Sequence, residues 1–297
     1  MNKLITGGSG LIGNEFKTGK KVSTKDYNLL DEHQVNHMMM MEDPDYIIHT
    51  AARVGGVQEN MNHLAEFYRD NIMINNNIIH YAAKYGIKKL ICFLSTCIFP
   101  DKVEYPLTED KIHLGEPHPS NYGYAYAKRM VDVQIRAYNE QYGTKYFAVI
   151  PTNVYGRNDN YDLNSSHVIP AIIRKCWLAK KDNTDLVLWG SGKPLREFIY
   201  AEDVADICDI LLEKYTDTKP LILSTSQEIS IADITQIICD IMGFEGKVIF
   251  DTSKPDGQFR KPTDNSNLLK VIGTDYKFTP LEEGLKKTID HCLLKWK

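Results

Sequence analysis

The sequence predicts an α/β fold, with a doubly wound parallel sheet followed by a smaller C-terminal α/β lobe. Three observations predict it. In the first half, short β-branched or aliphatic runs alternate with helical patterns, as parallel strands joined by crossover helices require. A glycine-rich turn follows the first of those runs at once. Beyond Pro151 the pattern becomes less regular, with shorter helices set between loops. At 297 residues the chain is long for one core and comfortable for two lobes.

Taken in order, the runs that read as strands are Lys3–Thr6, Lys21–Thr24, Tyr46–Thr50, Leu90–Leu94 and Tyr146–Ile150. Two long helical patterns stand among them, with apolar residues recurring at three- and four-residue steps over Leu64–Tyr85 and a second run at Tyr124–Tyr142. The second ends in Gly143, a residue suited to a left-handed cap. Loop-rich segments follow at Gly156–Ser166 and Ser253–Asn267. Ser230 with Asp233, and Thr279-Pro280 with Glu282, resemble capping boxes that start helices at Ile231–Met242 and Pro280–Leu294. The four methionines Met38–Met41 read as core filler beside a helical pattern.

Composition excludes several classes of function. Lys+Arg number 35 against 39 Asp+Glu, a net charge of -4, and the basic residues are scattered, which argues against nucleic acid as a partner. No uninterrupted apolar run approaches the ~20 residues needed to cross a bilayer, and the start Lys3-Leu4-Ile5-Thr6 is strand-like rather than a signal sequence. A soluble, cytoplasmic protein without membrane partners is the expectation. Cysteines 92, 97, 176, 208, 239 and 292 form no CxxC pair and no zinc-like cluster with histidine, so they read as free thiols and no metal is expected.

Gly7-Gly8-Ser9-Gly10-Leu11-Ile12-Gly13 comes directly after the first strand, so Gly7, Gly10 and Gly13 form a GxxGxxG. A dinucleotide pyrophosphate needs a tight turn, close backbone approach and a helix N-terminus, and glycine alone supplies the first two. This strand, loop and helical start predict a Rossmann-type cofactor site. At the end of the second strand, Ser23-Thr24-Lys25-Asp26 offers two hydroxyls and a cation before the carboxylate, which favours the 2′-phosphate of NADP(H). Only eight residues separate Gly13 from Val22, whereas a normal crossover needs about ten or more, so the first helix is reduced to about a single turn.

Tyr124 and Lys128 stand four apart on a helix and share a face. A neighbouring ammonium lowers a phenol from about 10, which lets it exchange a proton near neutral pH. Tyr85/Lys89 and Tyr215/Lys219 repeat the spacing, but only the middle pair has a partner, Ser95, just past the fourth strand where doubly wound sheets place ligands. The other two read as surface pairs.

Glycine loop, serine and YxxxK in that order resemble the extended short-chain dehydrogenase/reductases. Ala51-Ala52-Arg53-Val54-Gly55-Gly56, Ser95-Thr96-Cys97-Ile98-Phe99-Pro100, Pro151-Thr152-Asn153-Val154-Tyr155-Gly156, Ser166-His167-Val168-Ile169-Pro170, Trp189-Gly190-Ser191-Gly192 with Arg196-Glu197-Phe198, and Lys254-Pro255-Asp256-Gly257 narrow the likeness to one branch. Those enzymes epimerise C3 and C5 of GDP-4-keto-6-deoxymannose and reduce C4 with NADPH. The resemblance implies that Ser95, Cys97, Tyr124, Lys128 and His167 are catalytic, with Cys97 and His167 as the acid/base pair. It implies NADP(H) held by Gly7, Gly10, Leu11, Ile12, Gly13, Ser23, Lys25, Ala51, Ala52, Tyr124, Lys128, Pro151, Asn153, Val154 and His167. It also places a GDP-linked sugar against Asn153, Lys175, Trp189, Arg196 and Asp256.

The cofactor lobe would be residues 1–155, with a segment returning near 195–215, and the nucleotide-sugar lobe residues 156–297. Trp189 could equally be plain core, and Arg196 could be a surface residue paired with Glu197 or Asp203. Arg260 and Lys261 add positive charge without an assigned role. The long helices at 64–85 and 124–142 are those that such reductases pair across a homodimer, where Phe67, Ile74 and Ile78 would serve either the interface or the core. Two other readings stand beside this one: an epimerase/reductase for a UDP- or dTDP-linked sugar, and a cofactor-binding regulatory protein without catalysis.

Overall fold

The computed structural model describes residues 2–254 and 256–296. Strand β1 (Lys3–Thr6) is buried along its whole length and ends in the glycine turn. The crossover to β2 (Lys20–Val22) contains one 3-10 turn, Gly13–Glu15, so the short first helix foreseen from the eight-residue spacing is present. Helix α1 (Glu32–Glu42) is capped by Asp31, whose side chain accepts from the His33 amide, and leads to β3 (Tyr46–His49). Helices α2 (Val57–Asn62) and α3 (Leu64–Lys84) precede β4 (Lys89–Phe93). Helix α4 (Tyr122–Tyr142) ends at Gly143 in the left-handed region, as its sequence predicts.

Then come β5 (Phe147–Pro151), β6 (Asn153–Tyr155), α5 (Val168–Asp182), β7 (Leu186–Trp189) and β8 (Leu195–Tyr200). Helix α6 (Ala201–Lys214) and β9 (Leu221–Leu223) carry the chain back to the first sheet. Strand β10 (Glu228–Ser230), α7 (Ile231–Met242), β11 (Val248–Asp251), α8 (Ser266–Ile272) and α9 (Leu281–Lys295) complete it.

The large sheet has the order β2-β1-β3-β4-β5-β9, and every pairing in it is parallel. Alternation along its strands feeds two cores: Ile47, Leu90 and Cys92 face one with Val35, Ile78, Val131 and Ile135, while Ile48, Ile91 and Phe93 face the other with Phe16, Val204 and Leu211. A sheet covered on both faces reads in sequence as continuous apolar runs, and this is why its strands were legible. Winding reverses beside β1, which opens a crevice over the strand carboxyl ends, where ligands of such sheets bind. A third core lies under α5, α7 and α9, against β7 and the small sheet β10-β8-β6.

Local sequence signals fared unequally. Ser230 does cap α7, accepting from the Asp233 amide at 3.0 Å. Thr279 does not cap α9: its hydroxyl and amide go to Asp203 at 2.7 and 2.8 Å, and the capping position is Pro280. Met38 and Met39 fill the core, but Met40 and Met41 are exposed, because successive helical residues cannot share one face. No helix among the described residues is long and apolar enough to cross a membrane.

Candidate active site

Gly7 has φ +71°, and a Cβ there would lie 2.7 Å from the Ala51 amide. A Cβ on Gly13 would lie 2.3 Å from the Gly7 carbonyl, and Gly10 donates its amide to the same oxygen at 2.9 Å. The turn closes on itself with no space for side chains, and its backbone is left for an anion to approach. Ala51 and Ala52, after β3, face this turn, and Leu11 and Ile12 stand partly exposed in it. At the end of β2, Asp26 accepts the Ser23 amide and hydroxyl at 2.8 and 2.9 Å, and these bonds hold its carboxyl below the usual range. Lys25 is exposed beside it.

Ser95 follows β4 and caps a 3-10 turn, Thr96–Ile98, accepting the Cys97 amide at 3.3 Å. Tyr124 stands in the first turn of α4, which comes so near α3 that a Cβ on Gly123 would lie 2.6 Å from the Leu64 carbonyl. Burial pushes the Tyr124 phenol well above its ordinary value and the nearby Cys97 adds to this, while a hydrogen bond from Ser95 pulls it down. Serine, cysteine and tyrosine therefore meet at the carboxyl edge of β4.

Lys128 is 2% exposed and donates to the Phe93 carbonyl at 2.9 Å. Its ammonium is engaged by that carbonyl, and the group that lowers the phenol is Ser95. Burial lowers Lys128 itself to about 8. Between about pH 8 and the ordinary lysine value near 10.5, the folded protein has released a proton that the unfolded chain still holds, so this group makes stability rise with pH. Relative to Lys128→Met, the native protein should gain about 2 kcal/mol between pH of about 8 and about 10 in denaturant titrations. A difference that stays constant with pH would contradict a buried ammonium.

His167 is the N-terminal capping residue of α5 and is open to solvent, yet crowding by protein lowers its imidazole below the ordinary value. Accessibility together with crowding is what a cleft wall produces. Its loop reaches the tyrosine side of the site through packing: Gly56 donates to the Ser165 carbonyl at 3.0 Å, the Gly55 Cβ position is 3.1 Å from the Phe67 ring, and Phe67 meets Tyr124 edge to face at 6.3 Å. Pro151 is buried at the end of β5, and Val154 and Asn153 follow on β6. The Asn153 amide donates to the Glu197 carbonyl at 2.8 Å, which leaves its oxygen outward.

Farther along the cleft, Trp189 is 62% exposed, with the ammonium groups of Lys175 and Lys254 each 5.6 Å from its ring. It is not core, because β7 alternates buried and exposed residues and Trp189 falls on the outer face. Burial lowers the Lys175 ammonium. Arg196 pairs with neither Glu197 nor Asp203: it donates to the Leu195 carbonyl at 2.7 Å, and burial lowers it. Asp256 accepts the Ser191 amide and hydroxyl at 2.5 and 2.8 Å, so it fixes the loop after Trp189. Pro255, within the same motif, lies outside the described residues.

The sequence profile of the NAD dependent epimerase/dehydratase family matches residues 14–223. The chain belongs to this family. Among epimerase/dehydratase relatives, it is 47% identical to the GDP-L-fucose synthase of Dictyostelium discoideum, over 96% of this chain and 93% of the relative. It is 39% identical to a probable GDP-L-fucose synthase of Drosophila melanogaster, over 96% and 95%. The crystal structure of a GDP-L-fucose synthetase from Naegleria fowleri bound to NADP superposes with a TM-score of 0.94 at 40% identity, covering 99% of this chain and 93% of that one.

Two residues of this epimerase/dehydratase site had no role assigned from the sequence. Lys261 lies near Cys97 and Arg196: burial lowers it, the charges of Cys97 and Asp101 raise it, and Arg196 opposes it. Its loop is held by Glu197, whose buried carboxylate accepts from the Thr263 amide, the Thr263 hydroxyl and the Ser224 hydroxyl at 2.9, 2.6 and 2.7 Å. An acid beside a strand's apolar residues was the only available signal. The remaining YxxxK pairs are only half at the surface: Tyr85 and Lys219 are exposed, but Lys89 donates to the Leu212 and Tyr215 carbonyls, and the buried Tyr215 donates to the Lys219 carbonyl.

Proposed function

We propose that this chain converts GDP-4-keto-6-deoxy-D-mannose to GDP-L-fucose, epimerising C3 and C5 and reducing C4 with NADPH. The observation that carries the reading is the 47% identity to the Dictyostelium GDP-L-fucose synthase over 96% of the chain. Residues 1–155, with the chain returning through α6 and β9, would hold the dinucleotide, and residues 156–297 the nucleotide sugar. The closed glycine turn fits a pyrophosphate, and Lys25 beside an Asp26 already engaged by Ser23 fits a 2′-phosphate better than a free hydroxyl. When bound, NADPH supplies the hydride.

The chain's own groups handle the protons. Hydrogens at C3 and C5 are acidic because both carbons flank the C4 carbonyl, and Ser95 with Tyr124 would hold the enolate oxygen. Inversion needs an acid and a base on opposite faces of the ring, the roles of Cys97 and His167. Tyr124, whose raised phenol stays protonated at neutral pH, would deliver its proton to O4 on reduction, with Ser95 stabilising the phenolate. Lys128 would bind the nicotinamide ribose. Trp189 offers a plane for guanine or ribose, flanked by Lys175, and Arg196 a fork for phosphate.

The testing experiment incubates the protein with NADPH and the GDP-, UDP- and dTDP-linked 4-keto-6-deoxy sugars, following NADPH absorbance and identifying the product. Formation of GDP-L-fucose from the GDP substrate alone is the expected result. Turnover of another base instead, or NADPH binding without turnover, would overturn it. Gly13→Ala should weaken NADPH at least about tenfold while the fold is kept, because its Cβ overlaps the Gly7 carbonyl. Undiminished binding would remove the turn from the cofactor site.

A homodimer forms part of the same proposal. Phe67 and Ile78 are fully buried and Ile74 packs on the core, so these serve the interior. The outer face of α3 and α4 instead carries exposed Tyr68, Met73 and Val133, around a groove of about 260 Å³ that includes Ile72 and Met130. A second copy would cover this face, and a monomer mass in light scattering at micromolar concentration would exclude it. A cytoplasmic setting is proposed from Cys97, the one cysteine that is not buried, whose role requires a free thiol.

A further inference from the structure

Beneath the glycine turn lies a buried polar chain that none of the steps above uses. Thr6, His49, Asn71 and Asn75 are all buried, on β1, β3 and the inner face of α3. Thr6 and His49 are register partners, and the Thr6 hydroxyl lies 2.6 Å from His49 Nδ1. His49 Nε2 lies 3.2 Å from the Asn75 side-chain oxygen. The Asn75 amide is committed to the Asn71 carbonyl at 2.5 Å, so its oxygen can only accept and Nε2 must carry the proton. Nδ1 is then bare, and the Thr6 hydroxyl donates to it.

The chain continues to the second cofactor loop. The Asn71 amide donates to the Phe67 and Arg53 carbonyls at 2.8 and 3.0 Å, and its oxygen accepts the Arg53 amide at 3.2 Å. One end is therefore the residue before Gly7, and the other is the residue after Ala52. These two backbones converge where a Cβ on Gly7 would lie 2.7 Å from the Ala51 amide.

We propose that His49 is a positioning residue for the dinucleotide, which, as a neutral relay between Thr6 and Asn75, fixes the spacing of the Gly7 turn from the Ala51–Arg53 loop. It touches neither cofactor nor substrate. A neutral imidazole suits the place, since burial and the charge of Lys128 lower it to about 3. An imidazolium would reverse the Thr6 bond, its Nδ1 donating to the hydroxyl, and would add a second cation beside Lys128.

This inference rests on the NADPH reading above. The test measures NADPH binding by fluorescence without sugar, so its failure leaves the substrate assignment intact, and absent turnover by a binding-competent wild type leaves the inference intact. His49→Gln keeps a donor at the Nε2 position but loses the Thr6 acceptor. His49→Asn keeps an acceptor at the Nδ1 position. His49→Gln, which cuts the Thr6 link, and His49→Asn, which cuts the Asn75 link, should each raise the NADPH Kd at least about tenfold, with kcat at saturating NADPH changing much less. Thr6→Val should match His49→Gln, and the double variant should bind no worse than either single one. Unchanged affinity in either His49 variant, or additive loss in the double variant, overturns the proposal. If the His49 variants do not fold, Thr6→Val against Thr6→Ser decides it, since only the serine keeps the donated hydroxyl, and equal affinities would refute the relay.

Discussion

Tyr124→Phe should lower NADPH oxidation on the GDP-4-keto sugar by about 10²- to 10⁴-fold, the range associated with loss of a placed general acid. NADPH affinity should change by less than about threefold, because the glycine turn and the Ala51–Ala52 loop lie elsewhere on the sheet edge. The effect is large because the site holds this phenol protonated: burial raises it, and only Ser95 favours its ionised form. Phenylalanine preserves the edge-to-face packing on Phe67 and removes the proton alone. Stopped-flow absorbance separates the two quantities, and a variant that reduces within about tenfold of wild type would remove Tyr124 from proton delivery.

Cys97→Ser should abolish exchange of solvent protons into C3 and C5 while retaining NADPH binding. A serine hydroxyl is too weak an acid to share protons with a carbon centre at neutral pH, so exchange should fall by about 10²- to 10⁴-fold. The position can tolerate the change sterically, since Cys97 sits on a turn held by the hydrogen bond that its backbone N–H donates to the Ser95 hydroxyl, and is only partly buried. Mass spectrometry of sugar recovered from heavy water reads the exchange, and undiminished exchange would remove Cys97 from the mechanism.

Much of this architecture was legible because the relevant signals are local. Lys3–Thr6 and Ile231–Met242 fall where their apolar runs and the Ser230 cap put them, and the eight-residue gap before Val22 announced a one-turn crossover. Ser95, Cys97 and Tyr124 were found through motifs and do meet at one strand end. What the sequence hid depends on partners distant in the chain. Thr279 looked like a cap until Asp203 took its hydroxyl, and Lys89 looked exposed until the carbonyls ending α6 met it. Whether Trp189 is core or a substrate contact stayed open in the sequence, because alternation says which residues share a face, but not which face meets solvent. Lys261 read only as added positive charge, since its approach to Cys97 is set by the clamp from Glu197 to Thr263.

The central claim is that one site performs two epimerisations and one reduction. Its most direct test is turnover of GDP-4-keto-6-deoxy-D-mannose with NADPH in heavy water, with the product examined by NMR and mass spectrometry. The account predicts GDP-L-fucose carrying solvent deuterium at both C3 and C5, protium at C4 from the cofactor, and one NADPH consumed per product. A C4-reduced GDP-sugar with no solvent deuterium would mark a simple reductase and contradict the account.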